Sequence, residues 1–89
     1  MENQTQNMDR LRELLDAEYQ WPALYTFKFI VPSAQAEQVE RLFPPGASSR
    51  RNSAKGNYVT VSATLNVGSA ESVIAMYEDA AHIEGLISI

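Results

Sequence analysis

The chain has no cysteine, one histidine and one tryptophan among its 89 residues. Without thiols, neither a disulfide nor a thiolate metal site can brace it, and the paired-cysteine metal carriers are excluded. His82 is the one histidine, and with no thiol beside it the acids Glu78 and Asp79 four and three residues before it are not expected to complete a set of metal ligands, so no metal or cofactor is expected. Serines are present, but a nucleophile needs a base within reach, and the one histidine falls at a helix end, away from the strand serines. At that end an imidazole simply suits the helix dipole. No apolar run approaches the ~20 residues a membrane helix requires. The first residues, Met-Glu-Asn-Gln-Thr-Gln-Asn, lack the basic-then-apolar layout of a signal peptide. A cytoplasmic protein without a membrane partner is the expectation, and the absence of cysteine fits a reducing compartment. Positive charge is also scarce, with 7 Lys and Arg against 11 Asp and Glu and a net charge of -4. That balance argues against nucleic acid as a partner, since such affinity rests on neutralising phosphates.

The few basic residues are unevenly placed. Between Arg41 and Ala70 lie Arg41, Arg50, Arg51 and Lys55 with no acid, whereas the last segment holds Glu71, Glu78, Asp79 and Glu84 with no Lys or Arg. An acidic chain with one basic region can present a local patch to an anion or to an acidic surface.

Residues 1–6 read as a disordered tail. Over 7–20, Met8, Leu11, Leu14, Leu15 and Tyr19 recur at three- and four-residue spacing, the mark of an amphipathic helix with Asn7 as cap and Asp9 in its first turn. Trp21-Pro22 ends it. From Leu24 to Val31 a strand alternates, with Tyr25, Phe27, Phe29 and Val31 on one face and Leu24, Thr26, Lys28 and Ile30 on the other. Pro32-Ser33 opens a helix with Ser33 as cap and Ala36, Val39, Leu42 and Phe43 inward; Pro44-Pro45-Gly46 stops it. Residues 47–54 suit an edge strand kept soluble by Arg50 and Arg51. Lys55-Gly56-Asn57 turns into a second alternating strand, Tyr58 to Val67, with Val59, Val61, Leu65 and Val67 inward. Ser69 caps a third helix carrying Val73, Ile74, Tyr77, Ala80 and Ala81 inward, Gly85 breaks it, and Leu86–Ile89 forms a closing strand.

Residues 21–89 thus read β-α-β-β-α-β, a single α+β domain of the ferredoxin-like sandwich type: a four-stranded antiparallel sheet with two helices on one face, plus the extra N-terminal helix. The other sheet face carries Thr26, Lys28, Tyr58, Thr60, Ser62 and Thr64. The N-terminal helix could cover Leu24 and Ile30 there, or pair with a second copy. RNA-binding domains of this topology display aromatics on the open face. Here the aromatics of the first strand share the inward face, which removes the stacking platform. Acylphosphatases of this fold need an arginine in the first strand–helix turn, and Val31-Pro32-Ser33-Ala34 has none.

Trp21-Pro22, the strand ending Tyr25-Thr26-Phe27-Lys28, the run Ser53-Ala-Lys-Gly-Asn-Tyr-Val-Thr-Val-Ser62, and the closing Met76-Tyr-Glu and Ile83-Glu-Gly-Leu-Ile87 together resemble the YbeD-like family of small bacterial proteins, a domain of unknown function. The resemblance spans roughly Tyr19 to Ile89. It implies an ACT-like ferredoxin fold and a regulatory role, and supplies no catalytic residues. The Val31–Ala34 turn lacks the acid and glycine usual in amino-acid-binding ACT domains.

No catalytic site is expected, and the chain reads as a non-enzyme. The candidate ligand- or partner-binding residues are Lys28, Arg50, Arg51, Lys55, Gly56, Asn57 and Tyr58: cations flanking a Gly-Asn pair whose amides could face an anion. The competing account is that the arginines guard an edge strand and Gly56-Asn57 serves only the hairpin. The expected activity is docking on a protein partner or on itself as a homodimer; the alternative is sensing of an anionic small molecule.

Overall fold

Two strongly alternating segments organise the molecule. In the computed structural model, which describes residues 4–88, β1 (Ala23–Pro32) pairs antiparallel with β3 (Tyr58–Val67) along its whole length, from Ala23 opposite Val67 to Pro32 opposite Tyr58. β2 (Ser48–Asn52) lies outside β3 as an edge, and β4 (Ile87–Ser88) borders β1 only at Phe29 and Ile30, giving the order β2-β3-β1-β4. α1 (Gln4–Glu18), α2 (Ala36–Glu40) and α3 (Ala70–Ala80) complete the α+β, ferredoxin-like architecture.

The period-two pattern decides which sheet face is buried. Phe27, Phe29 and Val31 of β1 and Val59, Val61, Ala63 and Val67 of β3 are buried against Val39, Phe43, Val73 and Ile74 from the helical layer. Each buried Val, Ile or Phe among them contributes about 1.5–3 kcal/mol. Aromatic contacts add directionality: Phe27 meets Phe43 at 5.9 Å and Tyr77 at 5.7 Å, while Phe29 meets Tyr77 at 5.8 Å. The Tyr77 hydroxyl shares a 2.8 Å hydrogen bond with that of Tyr25, and burial pushes its phenol well above the ordinary range.

Ser69 caps α3 as its position implied, its Oγ accepting from the Ser72 N–H at 3.2 Å. Ser33 does not cap α2. A 3-10 turn over Ser33–Gln35 precedes that helix, and Ser33 prolongs the β1–β3 ladder: its N–H donates to the Asn57 carbonyl (3.0 Å) and its Oγ to the Gly56 carbonyl (2.6 Å). Ala81, expected on the inward face, is exposed at the C-cap of α3, whereas Ala80 beside it is buried. Of the closing strand expected over Leu86–Ile89, only Ile87–Ser88 pairs with β1, and Ile89 lies outside the described residues.

α1 begins at Gln4, so Asn7 lies inside the helix instead of capping it and Asp9 falls beyond the first turn. Residues 1–3 of the expected tail lie outside the described residues. Leu15 is buried, with Met8 and Leu11 packed against the core, but Leu14 is 57% exposed. The helix rests on α3, with the Arg12 guanidinium 3.2 Å from the Glu71 carboxylate, and leaves the open sheet face alone. Its apolar stripe finds apolar company on the α3 side, whereas the open face offers mostly hydroxyls and cations. Leu24 therefore stays 67% exposed. Trp21 anchors the passage from α1 to β1: its ring stacks on Tyr19 at 5.3 Å and its Nε1–H donates to Asp16 (2.9 Å). Among the described residues, no helix is long and apolar enough to cross a membrane.

Candidate functional site

Strand register sorts the seven candidate residues into three groups. Lys28 stands opposite Ser62, which stands opposite Ser49; in the next row on the same face Ile30 stands opposite Thr60, which stands opposite Arg51. Both rows are on the open face, because Lys28, Ile30, Thr60 and Ser62 alternate with buried neighbours and cross-strand partners share a face. Ser49 and Ser62 share a 3.3 Å hydroxyl contact, and Thr26 and Thr64 one of 2.8 Å. Lys28 and Arg51 thus flank a bed of hydroxyls. They border a shallow depression of about 450 Å³ lined by Lys28, Ser49, Arg50, Arg51, Thr60 and Ser62.

Arg50 belongs to a different group. It stands opposite Val61, whose side chain is in the core, so Arg50 turns toward the helical layer and clasps Glu40 of α2 with two hydrogen bonds, Nε–Oε2 at 2.5 Å and Nη2–Oε1 at 2.9 Å. Those hydrogen bonds hold the Glu40 carboxyl below its usual range and the guanidinium more firmly protonated. Arg50 is a brace between β2 and α2, and its forked donors are already occupied.

The hairpin tip forms the third group. The Gly56 N–H donates to the Ser53 carbonyl (3.0 Å) and lies 3.1 Å from Ser53 Oγ, which also accepts from the Tyr58 N–H (3.4 Å). The Gly56 and Asn57 carbonyls are taken by Ser33. The Gly56 N–H is therefore spent on Ser53, and the two carbonyls tie the turn to the end of β1. Lys55 is exposed at the tip, and Tyr58 lies four residues along the sheet from the Lys28 row, about 13 Å at strand spacing.

What the open face lacks is as telling as what it carries. Among the described residues no Asp or Glu falls in β1–β4; the acids there lie in the helices and loops. Lys28 and Arg51 have no carboxylate partner among the described residues. Tyr25, Phe27 and Phe29 point toward the helices, which leaves Tyr58 as the aromatic of the open face. No group of three His, Cys, Asp or Glu side chains among the described residues could hold a metal ion. Two participants were not legible in the sequence. Ser49 joins the hydroxyl bed only through the β2 register, and Glu40 meets Arg50 only through the packing of α2 beside the sheet.

No curated protein and no solved structure matches the chain. A family of proteins of unknown function, DUF493, matches over residues 16–88, from the end of α1 through β4. The match begins just ahead of Trp21-Pro22, covers both alternating strands and the Lys55–Tyr58 hairpin, and includes every residue of the open face, so the chain belongs to the DUF493 family, which includes the YbeD-like small bacterial proteins.

Proposed function

We propose that this chain is a non-catalytic, ACT-like interaction module that docks an acidic protein surface on the open face of its sheet. The observation that carries this reading is the segregation of charge: a sheet free of Asp and Glu, backed by helices and loops that hold the acids. Such a face steers an acidic partner and repels a basic one, and it accelerates encounter more than it adds affinity. Arg51 and Lys28 carry the steering; Arg50, held by Glu40, carries fold stability. A regulatory role in the cytoplasm fits a small chain without cysteine or a visible catalytic constellation.

The test is capture from the source cell's extract with immobilised wild type and with Lys28→Glu/Arg51→Glu. The wild type should retain an acidic protein in a salt-sensitive manner and the reversed variant should lose it, at an unchanged melting temperature. Equal capture by both chains would overturn the reading. The depression between Lys28 and Arg51 favours one second reading, an anionic small molecule held by the two cations and the serine hydroxyls. It predicts saturable thermal stabilisation in a panel of carboxylate and phosphate metabolites, lost in Lys28→Ala. A ligand at 100 times its dissociation constant adds about 2.7 kcal/mol.

A further inference from the structure

The two edges of the sheet are not equally protected. β2 guards its edge with five short, polar, mostly exposed residues, two of them arginines. The other edge belongs to β1, because β4 covers only Phe29 and Ile30. From Ala23 to Lys28, β1 has no strand partner on that side among the described residues.

Hydrogen-bond parity says which backbone groups this leaves free. In an antiparallel pair, bonded and non-bonded positions alternate. The Ser33 N–H donates to Asn57 in the β1–β3 register, so the odd-numbered residues of β1 bond to β3 and the even-numbered ones face outward. Two observations agree. Pro32, which has no N–H, occupies an even position, and the Tyr58 carbonyl, even-numbered on β3, accepts from Ser53 on the β2 side. The N–H and C=O of Leu24 and Thr26 therefore point out of the sheet edge, beside the Leu24 side chain at 67% exposure. Most proteins blunt such an edge.

Beneath the same edge, on the helical side, an apolar cleft of about 450 Å³ opens between α1, α3 and β4, lined by Met8, Leu11, Phe29, Tyr77 and Leu86. Ser88 and Phe29, the last β4–β1 pair among the described residues, also line it, so the cleft lies against β4 and adjoins the Lys28 end of the open edge.

We propose that the outer edge of β1 from Leu24 to Thr26 is a slot that takes an extended segment of a partner protein as an added strand, running antiparallel to β1 in line with β4. Backbone hydrogen bonds to Leu24 and Thr26 hold the segment, and its alternate side chains read the two faces. Those turned toward the helices are large and apolar and enter the cleft. Those turned outward pass beside Leu24 on a face without acids, which selects a carboxylate opposite Thr26, diagonal to Lys28 and within its reach. The partner is thus a strand-forming segment alternating apolar and acidic residues. This goes beyond open-face docking and uses backbone groups that the charge reversal leaves untouched.

The probe is a random nonapeptide library displayed on phage and selected on the full chain, with the enriched peptide then synthesised. Selected peptides should alternate apolar and acidic residues and slow amide exchange at Leu24 and Thr26 at least tenfold. Thr26→Pro, which removes an outward N–H, should abolish peptide binding and keep the native melting transition; Thr26→Val, which keeps it, should bind as the wild type does. Should Thr26→Pro fail to fold, Leu11→Glu, which charges the cleft, supplies the second variant and should weaken binding at least tenfold. Enrichment of no peptide, unchanged exchange at Leu24 and Thr26 in the complex, or full binding by a folded Thr26→Pro chain would overturn the slot. Peptides that bind through Lys28 and Arg51 alone would overturn it too while leaving open-face docking in place.

Discussion

Gly85→Ala puts the geometry that seats β4 to a quantitative test. Gly85 sits at φ +77°, and a Cβ added there would lie 2.8 Å from Pro32 Cγ and 3.1 Å from Pro32 Cδ. Two costs add. The left-handed backbone costs alanine about 1–2 kcal/mol, and forcing a methyl into a packed contact costs about 1–3 kcal/mol more. The proline ring cannot retreat, because its neighbours Val31 and Ser33 are held by the core and by the hairpin turn. Gly56 supplies the control: it has nearly the same φ, +76°, and nothing within 4 Å of its added Cβ. Gly56→Ala should therefore cost only the backbone part, and Gly85→Ala about 1–3 kcal/mol beyond it. Against a total stability of about 4–13 kcal/mol for a chain of this length, that difference is readily measured by urea unfolding monitored through Trp21 fluorescence. The ceiling on the loss is the free energy of detaching Leu86–Ser88, which amide exchange at Ile87 would report. In a Pro32→Ala background the ring carbons are gone, and the Gly85→Ala cost should fall to that of Gly56→Ala. Additivity of the two substitutions within about 0.5 kcal/mol would refute the contact.

The two arginines of β2 should separate cleanly: Arg50→Glu faces Glu40 and should lower the melting temperature, least at high salt, whereas Arg51→Glu should leave it nearly unchanged in the same thermal melts. Tyr77 predicts an alkaline limit. Its folded pKa lies above the ordinary value of about 10, so its stabilisation is complete below that pH and is lost above it, as the unfolded chain sheds a proton the folded chain keeps. Urea midpoints should fall more steeply between about pH 9 and 11 for the wild type than for Tyr77→Phe; equal slopes would remove the buried phenol from the account.

Much of this molecule is written in local periodicity. Phe27, Phe29 and Val31 against Thr26, Lys28 and Ile30 decide a buried and an open face wherever the strand is placed, because side chains alternate with period two. Val59 to Val67 does the same for its partner, and Ser69 announces the start of α3 through the one hydrogen bond its side chain can make there. Adjacency misled at Arg50 and Arg51. As neighbours on a strand they face opposite ways, a consequence of the same period, yet their shared charge reads in the sequence as one patch. What periodicity leaves open is whatever depends on a second segment: that Arg50 meets Glu40, that Ser33 ties down the hairpin instead of capping a helix, and that α1 rests on α3. The sequence by itself determined the elements, their order and the two faces of the sheet, since these follow from interactions between residues a few positions apart. Only the tertiary structure decided that Lys28 and Arg51 flank one bed of hydroxyls, that the Gly56 and Tyr58 amides are spent on Ser53, and that among the described residues β4 pairs with Phe29 and Ile30 alone. Each of these depends on register and packing between segments tens of residues apart, which no local pattern records.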